Sequence, residues 1–511
     1  MQMNHRLNRR DFLKLVSLLP IGFSTTRVLR MLDATDLAQG QPKNVIVILF
    51  DAFSAYDISS YGYARQTTPN IDRLVNRAVV YHNHFAGGNF TTPGTASLLT
   101  GVLPWTHRAL NLNGKVAEPY VEKNIFGAFK GYYRIAYSHN GYANTFLRQF
   151  QNDLDELIPR ESFYLESYDS FISTLFKNDD DIASISWIRS MKVSEEGSAY
   201  SLFLSHLYES LQDRKIENLK SLFPRGLPTV SFINPYLLET AVDAIKKRLT
   251  EIPQPFIGYF HFMPPHHPYR TSREFFNAFK DDGFKPIEKP IDNLAKKVNK
   301  DQPRVRTEYD EFILYCDREF GRLYSYLESS GLLENTWVIL TSDHGEMFER
   351  GISGHGSNVL YQPVVRIPLM IFEPGQQTRR DIYEYTSAVD LLPTLTYLTG
   401  QKDPSWTEGD ILPPYAKTDR RLDRTLYVVQ AIDNPPNAPL TQASTALVKE
   451  NYKLHYYFGY PELANGETVK LFDIKSDPEE LVDLYSSNKG IASELLNELK
   501  SKLTEVNKPY L

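Results

Sequence analysis

Two apolar runs, each leading to an aspartate, set the strongest limit on how this chain can fold. Val45–Phe50 reads VIVILF and runs into Asp51; Trp337–Leu340 reads WVIL and continues through Thr341 and Ser342 to Asp343 and His344. Short apolar runs without polar alternation are strands buried on both faces, as in a parallel sheet covered by helices. Phe256–Phe262 and Pro368–Phe372 are two more. Helical patterns alternate with them. Thr68 and Pro69 open one as N-cap and first residue, with Ile71, Leu74, Val75 and Ala78 as its apolar face. Another carries Phe312, Cys316, Phe320, Leu323 and Leu327 on one stripe and stops near Gly331. The alternation predicts an α/β fold, a mostly parallel sheet flanked by helices. In such a sheet the C-terminal strand ends share one edge, where ligands bind. Asp51 and Asp343 should meet there, with carboxylates within about 6 Å if they share a hard cation.

Beyond about residue 406 the periodicity changes. TALVKENYKLHYYF and TVKLFDI read as antiparallel strands, and GIASELLNELKSKLTEV as a terminal amphipathic helix. This predicts a smaller α+β C-terminal subdomain over 406–511, behind a catalytic domain over 41–405. Residues of about 152–227 match no template and read as an insertion over the active edge. The 511 residues carry a formal net charge of -6 with signs mixed along the chain, so no basic nucleic-acid footprint is present. The single cysteine, Cys316, excludes an intrachain disulfide, and its place on the apolar stripe makes it a core thiol.

The first 40 residues read as a targeting segment and linker. Arg9 and Arg10 precede Phe12, Leu13 and Lys14, and an apolar run from Leu15 to Phe23 follows. This resembles a twin-arginine export signal, so the export machinery is an expected partner and the expected location is outside the cytoplasm, in the periplasm or at the cell surface. No clean A-x-A cleavage site follows, which leaves open a signal retained as a membrane anchor. The run is well short of the ~20 residues a spanning helix needs.

Seven segments, in order, resemble the sulfatases of the alkaline phosphatase superfamily. They are NVIVILFDAFSAYDISSYGYARQTTPNIDRL, NFTTPGTASLLTG, PPHHPY, NTWVILTSDHGE, the pair LYQPVVRIPLMIF and SAVDLLPTLTYLTG, and KLFDIKSDPEELVDL. The resemblance implies an alkaline-phosphatase-like fold and one divalent cation, Mn²⁺, Mg²⁺, Ca²⁺ or Zn²⁺, held by Asp51, Thr91, Asp343 and His344. It implies Thr91 at the nucleophile position and His266 as a contact to the transferred group. His355 is a looser match downstream of the metal pair. The implied substrate is a small-molecule, lipid-headgroup or glycan ester.

Departures from the family pattern bear on the chemistry. Ala52 stands where a second aspartate is usual, Thr95 where an arginine is, and Thr91 where the family carries the cysteine or serine that becomes formylglycine. GYYRIAYSHNGY replaces the Gly-Lys-Trp-His element and brings His139 near the lost lysine. A threonine cannot become that aldehyde. It can serve as a plain alkoxide, which suits phosphoryl transfer and resembles the threonine-dependent branch of lipoteichoic acid synthases and phosphoethanolamine transferases. Pro93 in the first turn of a helix would set Thr91 and Thr92 at its N-terminus, which favours an anionic ester; Thr92 is the alternative as a plain N-cap. The expected activity is therefore phosphate-ester hydrolysis or transfer. A sulfuric ester hydrolase and an inert binding protein on the same scaffold remain the alternatives. His82, His84 and His107 read as packing residues, and His267 as exposed or structural.

Overall fold

The computed structural model describes residues 42–165, 217–230, 234–295, 301–416 and 424–511. The targeting segment and most of the expected insertion, 166–216, lie outside them. The main sheet is built from β1 (Asn44–Asp51), β2 (Val79–Phe85), β3 (Tyr133–Ser138), β4 (Glu156–Leu157), β5 (Phe256–Pro265) and β6 (Thr336–Thr341). After a short hairpin of β7 (Phe348–Glu349) and β8 (Ile352–Ser353), β9 (Leu369–Phe372) and β10 (Arg380–Ser387) complete it. The strand order is β10-β2-β9-β6-β1-β5-β3-β4.

β1 sits between β5 and β6 and runs parallel to both. Its unbroken apolar run follows from that position. Ile46, Ile48 and Phe50 face one core, and Val45, Val47 and Leu49 face the other. Burying side chains of this size stabilises the fold by about 1.5–3 kcal/mol each. β9 runs antiparallel to β2 and β6, so the sheet is parallel in all pairs but those two.

The main helices are α1 (Pro69–Leu74), α2 (Thr91–Thr100), α3 (Gly141–Gln149), α4 (Leu238–Glu251), α5 (Gln302–Ser329), α6 (Leu391–Leu398) and α7 (Lys489–Asn507). α5 carries the expected stripe, and Phe312, Cys316, Phe320, Leu323 and Leu327 are all in one core. Burial pushes the Cys316 thiol well above its ordinary pKa, which suits an inert core thiol. The chain turns out of α5 through Gly331 at φ +74, as the sequence reading expects. α1 begins at Pro69 as expected, but Thr68 does not cap it with its side chain. Asp317 of α5 does so instead, accepting from the backbone N–H groups of Asn70 (2.9 Å) and Ile71 (2.8 Å).

A second sheet of β11 (Leu426–Gln430), β12 (Ala443–Lys449), β13 (Tyr452–Phe458) and β14 (Glu467–Asp473) is antiparallel throughout. α7 packs on it through Leu495, Leu499 and Leu503. The change of sheet near 406 is not a break in packing, because residues 43–511 form one compact unit. Phe85, Val364 and Val365 share a core with Val428, Ala446 and Tyr457.

Glu480, in the DPEELVDL segment, ties β13 to the helical turn Gln362–Val365 that precedes β9. It is buried and accepts from Lys453 Nζ (3.0 Å), His455 Nε2 (3.1 Å) and the Gln362 backbone N–H (2.7 Å). Burial would raise its carboxyl pKa, but Lys453 and His455 hold it well below the usual range. Glu480→Ala strands the Lys453 charge and is expected to cost about 3–5 kcal/mol at pH 7 in denaturant unfolding. A depressed folded pKa means that the contribution is present above the unfolded value of about 4.3 and lost as pH falls below it. The variant and wild type should therefore converge in acid.

Candidate metal and nucleophile site

β1 and β6 deliver Asp51 and Asp343 to one edge of the sheet. Ser342 locks the strand ends together, donating to Phe50 O (2.7 Å) and accepting from Phe53 N–H (2.9 Å). α2 closes in from above, and Gly94 permits it: a Cβ there would lie 2.3 Å from Asp343 O. Backbone strain brackets the site. Ala52, next to Asp51, has φ +60, and Phe90, before Thr91, has φ +57. Non-glycine residues held in this region cost of order 1–3 kcal/mol each and persist where the surroundings fix them.

Asp51, Asp343 and His344, from the strand ends, and Thr91, placed by the family resemblance, are together in space and buried. His344 Nε2 stands 3.4 Å from Asp51 Oδ1, 3.7 Å from Asp343 Oδ2 and 3.4 Å from Thr91 Oγ1. Thr95, at the family's arginine position, donates to Asp343 Oδ2 at 3.2 Å. Two residues join that sequence reasoning missed. His261 of β5 places Nε2 3.2 Å from Asp51 Oδ2. Asn140 donates through Nδ2 to Asp51 Oδ2 and lies 3.3 Å from Thr91 Oγ1. His261 had a signal, a lone imidazole inside a buried apolar strand. Asn140 had one too, as the N-cap signature before α3.

The cluster fits a divalent cation. Asp51, His261 and Asp343 each offer a ligand atom, and these lie within 4.8 Å of one another. Asp51 Oδ1 is buried without a hydrogen-bond partner. Among the described residues, no lysine or arginine pairs with either carboxylate, so the charge calls for a cation from outside. Burial alone would raise the Asp51 carboxyl, but the imidazoles of His266, His261 and His344 hold it well below the usual carboxylate range. Burial would lower His344, yet Asp343 and Asp51 outweigh it and push the imidazole up to about 9.

The other expected residues fall at different depths. Thr91 is the first residue of α2, and the flanking Phe90, not Thr92, is the N-cap; the Thr92 hydroxyl is buried without a partner. His266 lies at the rim with its ring 5.0 Å from that of His355. His355 packs 4.2 Å from the His344 ring and bonds Glu346 Oε1 through Nδ1 at 2.8 Å. His139 does not replace the lost lysine charge. Both its ring nitrogens lack hydrogen-bond partners, it packs 4.3 Å from the Tyr236 ring, and burial pushes its pKa down to about 3. The neighbouring Asn140 is what this segment sends to the carboxylates.

Asn140 also caps α3, accepting from Tyr142 N–H at 2.7 Å. Asn140→Asp keeps that cap but sets a third carboxylate against Asp51. It is expected to lower turnover at least tenfold, on the order of one lost charge-assisted contact. Asn140→Ala should in addition lose about 1 kcal/mol of cap stability by thermal unfolding.

Comparison with known proteins places the chain. A sequence model of the Sulfatase family matches residues 43–401, and one described as N-sulphoglucosamine sulphohydrolase, C-terminal, matches 355–509. The chain belongs to the sulfatase family and is a hydrolase of that family. It is 28% identical over 276 residues to an endo-4-O-sulfatase of Bacteroides thetaiotaomicron, a match spanning 50% of this chain and 53% of that enzyme. It is 24% identical over 496 residues to a multifunctional alkaline phosphatase superfamily protein of Trinickia caryophylli, covering 86% of this chain and 91% of that one. Its fold matches the crystal structure of a phosphonate monoester hydrolase of Agrobacterium radiobacter at TM-score 0.66 and 18% identity, over 91% and 96% of the two chains.

Proposed function

We propose that this chain is an exported, metal-dependent hydrolase or transferase that acts on a phosphate ester through Thr91. One observation carries the reading: the hydroxyl beside His344 and Asn140 at the start of α2 belongs to a threonine. The chain's one cysteine is in the core of α5. The first serine of α2, Ser97, is committed to His107 at 3.1 Å. No residue that could become formylglycine faces the carboxylates among the described residues.

In the proposed reaction Thr91 loses its proton and its oxygen attacks phosphorus in line. The bond to the ester oxygen breaks, and the leaving alkoxide takes up a proton as an alcohol. Water or an acceptor alcohol then attacks the phosphothreonine, releasing phosphate or a new ester and returning the Thr91 hydroxyl. The amide N–H groups at the start of α2 orient the anionic group. In this reading His266, at the rim, and His355 beside it are the side chains that would serve the leaving oxygen. A divalent cation held by Asp51, Asp343, His261 and His344 would neutralise negative charge on the oxygens in flight.

A sulfuric ester hydrolase is the second reading, favoured by the name of the Bacteroides relative and by the C-terminal family match. An alkoxide has no aldehyde to collapse to, and Thr95 supplies no positive charge, so sulfate release would have to await external attack at sulfur. A panel of phosphomonoesters, phosphodiesters, phosphonate esters and sulfate esters separates the two. Phosphorus esters should be turned over faster than matched sulfate esters; efficient sulfate release alone would overturn the proposal.

Arg9 and Arg10 before Phe12, Leu13 and Lys14 support export by the twin-arginine route. Replacing both arginines by lysine should trap the protein in the cytoplasm, read by fractionation. Export of the double variant at the wild-type level would contradict it.

A further inference from the structure

Glu346 follows the metal pair by two residues, and the β7–β8 hairpin folds His355 back onto it. Gly354 N–H closes that turn on Met347 O at 2.8 Å. Glu346 Oε1 lies 2.8 Å from His355 Nδ1, and Tyr269 donates to the other oxygen, Oε2, at 3.1 Å. The carboxylate is buried, while the His355 side chain is 17% exposed. Among the described residues no lysine or arginine pairs with Glu346. A buried carboxylate without such a partner is costly to keep. Its hydrogen bonds go to one imidazole and to the tyrosine behind it. His355 is fixed from a second direction as well. Asn89 Nδ2 donates to His355 O at 2.9 Å, and Asn89 stands two residues before Thr91. The imidazole is thus tied to the segment that carries the nucleophile. Its ring lies 4.2 Å from that of His344, whose Nε2 is 3.4 Å from Thr91 Oγ1. Tyr269 is anchored in turn. Its ring packs edge-on against Tyr309 and Phe348, and Tyr309 donates to Ala52 O, beside Asp51, at 2.6 Å.

Hydrogen-bond chemistry sets what the held imidazole can do. A carboxylate only accepts, so the proton sits on Nδ1 and Nε2 keeps its lone pair. A carboxylate placed behind an imidazole in this way fixes its tautomer and orientation for proton transfer. Two successive in-line steps at phosphorus bring the attacking oxygen in where the ester oxygen left, so one side chain serves both. We infer that Glu346, braced by Tyr269, is a positioning residue that holds His355 with Nε2 as the proton acceptor in the attack on phosphothreonine. The role rests on the Thr91 intermediate proposed above. In that step the oxygen of water or an alcohol bonds to phosphorus as its proton passes to Nε2, and the bond from phosphorus to Thr91 Oγ1 breaks. The proton then goes to the Thr91 oxygen, which restores the hydroxyl and a neutral imidazole.

The test separates the two half-reactions on the full chain with Mn²⁺ supplied. The substrate is a p-nitrophenyl phosphate ester, whose leaving group departs without a proton. The first burst of nitrophenolate reads phosphorylation, the later steady rate reads dephosphorylation, and intact mass after acid quench reads phospho-Thr91. Glu346→Gln should lower the steady rate roughly 10²-fold, hold the burst rate within about threefold of wild type, and raise the phospho-Thr91 fraction. Tyr269→Phe, which keeps the ring and removes one hydroxyl, should move the steady rate and the trapped fraction in the same directions by less. A residue that merely props the fold or the metal cluster would slow both phases and trap nothing. Burst and steady rates that fall together in both variants, with no rise in phospho-Thr91, overturn the role of Glu346 while the Thr91 reading stands. Turnover with no phospho-Thr91 in wild type or variants overturns the Thr91 reading, and this role with it.

Discussion

Thr91→Ala is expected to lower turnover of the best phosphate ester by roughly 10³-fold or more, the scale seen when a covalent nucleophile is removed. The fold should be unaffected, because the Thr91 hydroxyl has only long contacts, 3.4 Å to His344 Nε2 and 3.3 Å to Asn140 Nδ2, and Asn140 keeps its bond to Asp51. Thr91→Ser should retain measurable activity, since it keeps the hydroxyl at the same point of α2. Thr92→Ala is the control. Its hydroxyl bonds nothing, so the change should cost well under the ~1 kcal/mol of a lost N-cap and leave turnover near wild type. Steady-state rates beside thermal unfolding read all three. Equal losses in Thr91→Ala and Thr92→Ala would mean that the helix start, not one hydroxyl, carries the effect.

Metal removal is expected to have the second large effect. Chelation should bring activity to background, and Mn²⁺, Mg²⁺, Ca²⁺ or Zn²⁺ should restore it to different extents. Metal at a hundred times its Kd should stabilise the fold by about 2.7 kcal/mol through mass action, a rise in thermal midpoint that Asp51→Asn should abolish. The pH dependence has a definite sign. With burial opposing and the Asp343 and Asp51 carboxylates prevailing, His344 is pushed up to about 9, so without metal it holds a proton at neutral pH. Metal must displace that proton, so affinity should rise with pH up to that value and fall as the solution is acidified. Titration calorimetry in buffers of different ionisation enthalpy would count the proton released. A midpoint that no divalent cation moves would leave the inert scaffold as the better reading.

The parts of the fold legible in the sequence were those where burial left no choice of residue. β1, β5 and β6 are covered on both faces, so their apolar runs are unbroken and their ends could be placed. β2 and β10 were not legible for the same reason in reverse. They lie at one end of the sheet, and VVYHNHF and RDIYEYTS mix polar residues with apolar ones. The direction of β9 was hidden because LMIF reads alike parallel or antiparallel. At the site, strand ends gave Asp51, Asp343 and His344. His261 and Asn140 were not legible because a strand-end rule points past the strands, to PPHHPY and to the histidine of SHNGY. Inside β5 the imidazole is held by register, Leu49 opposite His261, and register is a tertiary fact. His139 shows the opposite error. A one-residue shift decides which side chain enters the site, and the aromatic wall of Tyr137 and Tyr236 takes the histidine.

The measurement that bears most directly on the nucleophile is the mass of the Thr91 peptide after acid quench during turnover of a phosphate ester. A mass increase of one phosphoryl group on Thr91, absent in Thr91→Ala and lost on a chase with unlabelled buffer, is the predicted result. An unmodified Thr91 under turnover conditions, with full activity in Thr91→Ala, would contradict it.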